Sequence, residues 1–119
     1  MKMKKQSQKD KKQQTLQSFR EKWAQNPDLA LKQTLDSESS FQKWILERNG
    51  FKDAEDAANQ LEGYSRILDA GCGNGRVTAL LASLLPRAKI LGIDIIDLDI
   101  PRRNTEQFPN VKFTNADLT

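Results

Sequence analysis

Residues 66–75 read Arg-Ile-Leu-Asp-Ala-Gly-Cys-Gly-Asn-Gly, an apolar run closed by Asp69 and followed by Gly71, Gly73 and Gly75 at alternate positions. A short apolar run bounded by glycines fits a buried strand. The spacing predicts a strand over 66–70, a tight turn, and a helix over 76–85 whose N-terminus opens over whatever binds in the turn. Glycine belongs there because a Cβ would hold a ligand away from the backbone. The stretch therefore reads as a loop that cradles a nucleoside-containing cofactor.

Outward from this loop the chain alternates strand and helix, the pattern of βαβ units around a parallel sheet. Val77, Leu80, Leu81 and Leu84 form the apolar stripe of the helix, with Asn74 or Gly73 near its N-cap and Pro86 at its end. A second strand is predicted over 89–93 and stops at Asp94. Pro101 interrupts residues 95–108, so a turn and one short helical stretch are expected there. A third strand over 111–114 leads into Asn115, Ala116, Asp117 and Leu118. Right-handed crossovers would place the strands in spatial order 3-2-1.

The residues before the sheet have helical spacing. Leu16, Phe19 and Trp23 share one face of a helix that ends before Pro27. Asp36 and Ser37 are candidate N-caps for a second helix carrying Phe41, Trp44, Ile45 and Arg48 on one face, closed by Gly50 as a left-handed cap. A third helix is predicted from near Asp53, burying Ala54, Ala57, Ala58 and Leu61, to Gly63. The organisation expected is a basic tail over 1–14, a helical region over 15–63, and an α/β unit over 64–119.

Composition limits the function classes. The chain has 119 residues, 37% apolar and 29% charged, a profile suited to one small globular domain. No apolar run approaches the roughly 20 residues that span a bilayer, and no apolar stretch follows the first lysines as a secretory leader would require. A cytoplasmic protein is expected. With no histidine and Cys72 as the single cysteine, an internal disulfide or a Cys/His metal site is not available. The net charge of +3 belongs to the tail, where six lysines meet one aspartate; the other residues are mildly acidic. That tail has too little apolar content to offset the entropy of ordering and is expected to be disordered. It reads as a solubilising extension, with weak nonspecific attraction to nucleic acid as the functional alternative.

Asp94 stands 23 residues beyond Gly71, a separation at which a carboxylate can accept both hydroxyls of a ribose. A nicotinamide or flavin dinucleotide fits less well. Its fingerprint, G-x-G-x-x-G, needs a third glycine where Arg76 stands, and Asp69 would face the pyrophosphate.

The pattern Asp69-x-Gly71-x-Gly73-x-Gly75 resembles motif I of the class I S-adenosylmethionine-dependent methyltransferases. The resemblance implies a Rossmann-like α/β fold, here as a partial three-stranded parallel sheet preceded by helices, and S-adenosylmethionine as cofactor. On it, Asp94 takes the ribose diol and Ile95 lies against one face of the adenine. Asp117 takes the adenine amino group, with the backbone N–H of Leu118 meeting a ring nitrogen. Asp69 and the backbone of Gly71, Cys72, Gly73 and Gly75 hold the methionine end. Cys72 itself reads as a small, tightly packed residue and not a nucleophile. Asp69 and Asp117 have structural alternatives, Asp69 bonding the amides of its own turn and Asp117 as a helix N-cap; Asp94 has less of one, because a carboxylate ending an apolar strand needs a partner. In this family the N-terminal helices often fold over the cofactor mouth, which makes Trp23, Trp44 and Tyr64 candidates for cofactor or substrate contact. Core filling is the plainer use of such aromatics.

The resemblance covers about Ser65 to Thr119, the first half of the family's domain, and leaves the catalytic residues beyond Thr119. Two functions are expected from it. One is methyl transfer to an unidentified acceptor, with a small molecule slightly favoured, in which this chain supplies the donor-binding half. The other is a noncatalytic module or truncated product that pairs through its open sheet edge with a second chain completing the sheet.

Overall fold

The computed structural model describes residues 8–117. Residues 1–7 of the expected tail, and the Leu118 position, lie outside the described residues. Helix α1 runs Gln8–Gln25, so residues 8–14 are helical, not disordered. Lysine and glutamine are good helix formers, Asp10 sits favourably in the first turn, and the helix is tied to the body of the protein further along.

Three short helices follow. Helix α2 (Leu31–Leu35) is not apparent in the sequence. It starts from Ala30 at φ 57°, whose carbonyl accepts both the N–H and the hydroxyl of buried Thr34. Helix α3 spans Ser40–Arg48 and is capped by Ser39, whose hydroxyl accepts the Gln42 N–H at 3.0 Å. The expected caps, Asp36 and Ser37, lie earlier. Asp36 closes α2 instead, and its carboxylate accepts the Glu38 N–H at 2.9 Å. Helix α4 spans Ala54–Leu61 behind Asp53, which caps it by accepting the Asp56 N–H.

Strand β1 is Arg66–Ala70, helix α5 Arg76–Leu84, strand β2 Lys89–Asp94, helix α6 Asp99–Asn104 and strand β3 Val111–Asn115. The sheet is parallel in the order β1-β2-β3, with Leu68 opposite Leu91 and Gly92 opposite Phe113. The expected neighbours are therefore the observed ones. The N-cap of α5 is Gly75, at φ 83°, one residue past the expected Asn74, whose side-chain oxygen accepts the Arg76 N–H at 3.3 Å. Pro101 sits inside α6, in its first turn, where a missing N–H breaks no helical bond.

Two apolar clusters hold these layers together. Leu80 of α5 packs with Ile45, Leu46 and Ala57 of the N-terminal helices. On the sheet side, Ala82, Leu85, Ala88 and Ile90 pack with Ile67, Phe108 and Val111. The helical region and the sheet thus share α5 as a common wall. The other face of the sheet is uncovered among the described residues, with Leu68 58% and Leu91 37% exposed. No helix among the described residues is long and apolar enough to cross a membrane.

Candidate functional site

At the carboxyl ends of the strands the chain makes a tight knot of backbone. Gly71, Gly73 and Gly75 all take positive φ, at 74°, 57° and 83°, which an L side chain resists. The N–H groups of Gly71 and Cys72 both donate to the Ile93 carbonyl, at 2.8 and 3.0 Å, fastening the loop after β1 to the end of β2.

Asp94 completes the fastening. Its Oδ2 accepts the Gly73 N–H at 2.9 Å, and its Oδ1 accepts the N–H groups of Ile95 at 2.7 Å and Ile96 at 3.4 Å. A carboxylate has about four acceptor positions, so capacity for a further donor remains. Asp69 turns its Oδ2 to the Thr78 hydroxyl at 2.6 Å, bridging β1 to α5. Burial raises the Asp69 carboxyl above its ordinary range; the Thr78 hydroxyl opposes the rise and the Asp94 charge adds to it. Cys72 is buried, and its thiol is pushed up to about 12, mainly by burial and then by the charges of Asp69 and Asp94. It stays protonated at ordinary pH and is no nucleophile.

Close packing surrounds the loop. A Cβ on Gly75 would lie 3.0 Å from Pro101 Cβ, and one on Gly92 would lie 2.5 Å from the Phe113 ring. A Cβ on Gly73 would lie 2.8 Å from Cζ2 of Trp23, so the indole rests directly on the loop. Trp23 is the one of the three candidate aromatics brought to the glycines. Trp44 is 52% exposed and stacks on Phe41, and Tyr64 is 60% exposed.

Two asparagines hold this arrangement: Asn74, expected only near the N-cap of α5, and Asn104, which the sequence does not single out. Asn74, buried, donates its amide to the Leu29 carbonyl at 2.9 Å. Asn104 donates to the Pro27 carbonyl at 2.7 Å and to the Asn74 carbonyl at 2.9 Å. An asparagine in a polar segment carries no sequence signal for such a role; only the folded chain brings these carbonyls together.

Beside the knot lies a cavity of about 540 Å³, walled by Arg20, Trp23 and Ala24 of α1 and by Ile95, Ile96 and Asn115. Asp117, just past β3, forms an ion pair with Lys12 of α1. The predicted residues Asp69, Gly71, Cys72, Gly73, Gly75 and Asp94 therefore converge on one loop, Ile95 lines the adjoining cavity, and Asp117 stands past the end of β3. A groove of about 620 Å³ at the amino ends of the strands, beside Arg66, Lys89 and Asn110, involves none of them. The arrangement offers backbone curvature without side chains, acids at the strand ends and a half-apolar cavity. That is a fit to an uncharged or cationic nucleoside derivative, with Asp94 and Asp69 unfavourable to a pyrophosphate.

Comparison with known proteins gives the same direction. Residues 61–119 match the sequence profile of a family described as a methyltransferase domain. Trans-aconitate 2-methyltransferase from Deinococcus radiodurans is 36% identical, over 57% of this chain and 29% of its own length. The enzyme of that name from Afipia carboxidovorans is 43% identical over 44% of this chain and 20% of its own. Putative methyltransferase 235L of Invertebrate iridescent virus 6 is 34% identical over 50% and 22%. Among solved structures, Haemonchus contortus phosphoethanolamine N-methyltransferase 1, in complex with phosphoethanolamine and S-adenosylhomocysteine, superposes with a TM-score of 0.52 at 21% identity. It covers 94% of this chain and 22% of that one, a likeness of fold. The chain spans less than a third of the length of each of these relatives.

Proposed function

We propose that this chain, whose residues 61–119 match the profile of a methyltransferase domain, is the donor-binding part of a class I S-adenosylmethionine-dependent methyltransferase that acts on a small-molecule acceptor. The observation that carries the proposal is the junction of Asp94 with the Gly73 N–H at 2.9 Å beside the 540 Å³ cavity. It puts a carboxylate, a glycine-rich loop and a partly apolar cavity at one end of a parallel sheet, where ligands of such sheets bind.

When bound, S-adenosylmethionine supplies an electrophilic methyl group on a sulfonium. The chain's own residues bind and orient. Asp94 takes the ribose hydroxyls while keeping the loop amide, and Ile95 packs on the adenine. Asp117 and the Leu118 N–H meet the adenine edge. Asp69 and the Gly71 to Gly75 backbone receive the amino acid end, and the negative potential of the two acids suits its ammonium group. Fixing the donor in this way contributes through orientation and exclusion of water.

The acceptor class rests on the named relatives: where their names state an acceptor, it is trans-aconitate or phosphoethanolamine. We extend the class of small molecule to this chain, not those compounds. A cytoplasmic setting accords with the free, buried thiol of Cys72. The second reading, a binding module that pairs with a second chain through its sheet, draws on exposed Leu68 and Leu91.

Calorimetric titration of the chain with S-adenosylmethionine and S-adenosylhomocysteine tests the proposal. Saturable binding that weakens at least about tenfold in Asp94→Asn, which keeps an acceptor for the Gly73 N–H, is expected. No heat from the folded chain would leave the second reading.

A further inference from the structure

Among the described residues, helix α1 is fastened across the carboxyl ends of the strands by contacts near both of its ends. At one end Trp23 lies on Gly73, in the loop after β1. At the other, Lys12 pairs with Asp117, past the end of β3. These residues are 11 positions apart, about 16 Å along a helix, enough to cross a three-stranded sheet whose outer strands are about 10 Å apart.

The two halves of the candidate site differ in what α1 does to them. Over Ile95, Ile96 and Asn115 the helix stands off and leaves the cavity of about 540 Å³. Over Gly73 it leaves nothing, since even one added carbon would lie 2.8 Å and 3.3 Å from two indole atoms. The same indole is only partly buried, and the Lys12–Asp117 pair is nearly half exposed. Neither fastening is a core contact. Exposed ion pairs contribute little, so the helix can be released at modest cost.

We infer that α1 is a self-occluding strap: Trp23 occupies the space over Gly73 that the amino acid end of the donor requires, while at the nucleoside end the cavity remains and Lys12 takes up only part of the acceptor capacity of Asp117. This rests on the donor-site reading above. A nucleoside enters without moving Trp23; the full donor has to displace it. The strap thus subtracts from the donor's affinity in proportion to the fraction of molecules in which Trp23 is seated.

Two ligands and two variants test the strap. Trp23→Ala should bind S-adenosylhomocysteine roughly three- to tenfold more tightly than wild type, whereas adenosine, which loses a wall of its cavity and gains nothing at Gly73, should bind no more tightly than to wild type. Unchanged or weaker S-adenosylhomocysteine binding in Trp23→Ala, with adenosine still bound, overturns the strap and leaves the donor site standing. Failure of both ligands to bind either protein overturns the donor site and the strap with it. The second variant does not disturb the contact. The chain has two tryptophans, so Trp44→Phe leaves Trp23 as the single indole. Its emission maximum should move to the red on saturation with S-adenosylhomocysteine and stay within the unliganded range with adenosine. An unmoved maximum with bound S-adenosylhomocysteine also overturns the strap.

Discussion

Asp94 Oδ2 accepts the Gly73 N–H at 2.9 Å, which joins the acid ending β2 to the middle of the loop leaving β1. An acid expected to receive a ligand also shapes the loop that receives it. Replacing it therefore has two effects that separate by side chain. Asp94→Ala strands a buried N–H and should lower stability by about 1–3 kcal/mol. Asp94→Asn should lower it by about 1 kcal/mol or less while still weakening the donor. Urea denaturation of both variants checks the difference; equal losses would mean that the hydrogen bond does not hold the loop.

Gly73 combines a left-handed backbone with an indole at contact distance. Gly73→Ala should cost about 1–2 kcal/mol from the backbone alone, and more from the collision with Trp23. In a Trp23→Ala background the second part disappears. A double-mutant cycle on unfolding free energies should give a coupling of about 0.5–3 kcal/mol. Strict additivity would place the indole elsewhere in solution.

Asn104 spans three segments through the carbonyls of Pro27 and Asn74. Asn104→Ala removes both bonds from a buried setting and should destabilise by about 1–3 kcal/mol. Hydrogen exchange should quicken in α2 and in residues 71–75 together. A change confined to α6 would contradict the bridging role.

Asp69 titrates above its ordinary value of 3.8, chiefly because it is buried. The folded state then keeps a proton that the unfolded chain has released, so stability is full below that value and falls as pH rises through the higher, folded-state pKa. Asp69→Asn stays neutral and keeps an acceptor for Thr78. Its stability relative to wild type should grow as pH rises from about 4 toward neutrality. A constant difference across that range would show that Asp69 titrates normally.

Cys72, with its thiol pushed up to about 12, should react with an aromatic disulfide reagent at mildly alkaline pH on the order of a hundredfold more slowly in the folded protein than in urea. Equal rates would expose the thiol as accessible and ionised.

The sheet was legible because β1 and β2 are short, largely apolar runs ended by glycine or aspartate, β3 alternates apolar and polar residues before Asn115, and β1 coincides with its expected span of Arg66–Ala70. Helix α2 was not, since five residues starting at a left-handed Ala30 present no periodicity. The lysine-rich turns of α1 looked like tail because composition weighs burial, whereas this helix is kept by propensity and by Lys12 and Trp23 reaching the site. Within the site, side chains were readable and their partners were not. Asp94 stood out as an acid ending an apolar strand, but the amide it meets belongs to a glycine. Gly92 gave no sign that Phe113 lies across it.

The paired asparagines set a rule for anyone who would move this loop into another scaffold. A transplant cut between Gly63 and Tyr64 would carry Asn74 and Asn104 but leave behind Pro27 and Leu29, whose carbonyls receive their amides. Two side chains built to be dry would then have to find water, and the glycine turn would lose its ceiling. Any portable unit is therefore discontinuous in sequence: residues 26–30 have to travel with residues 66–117.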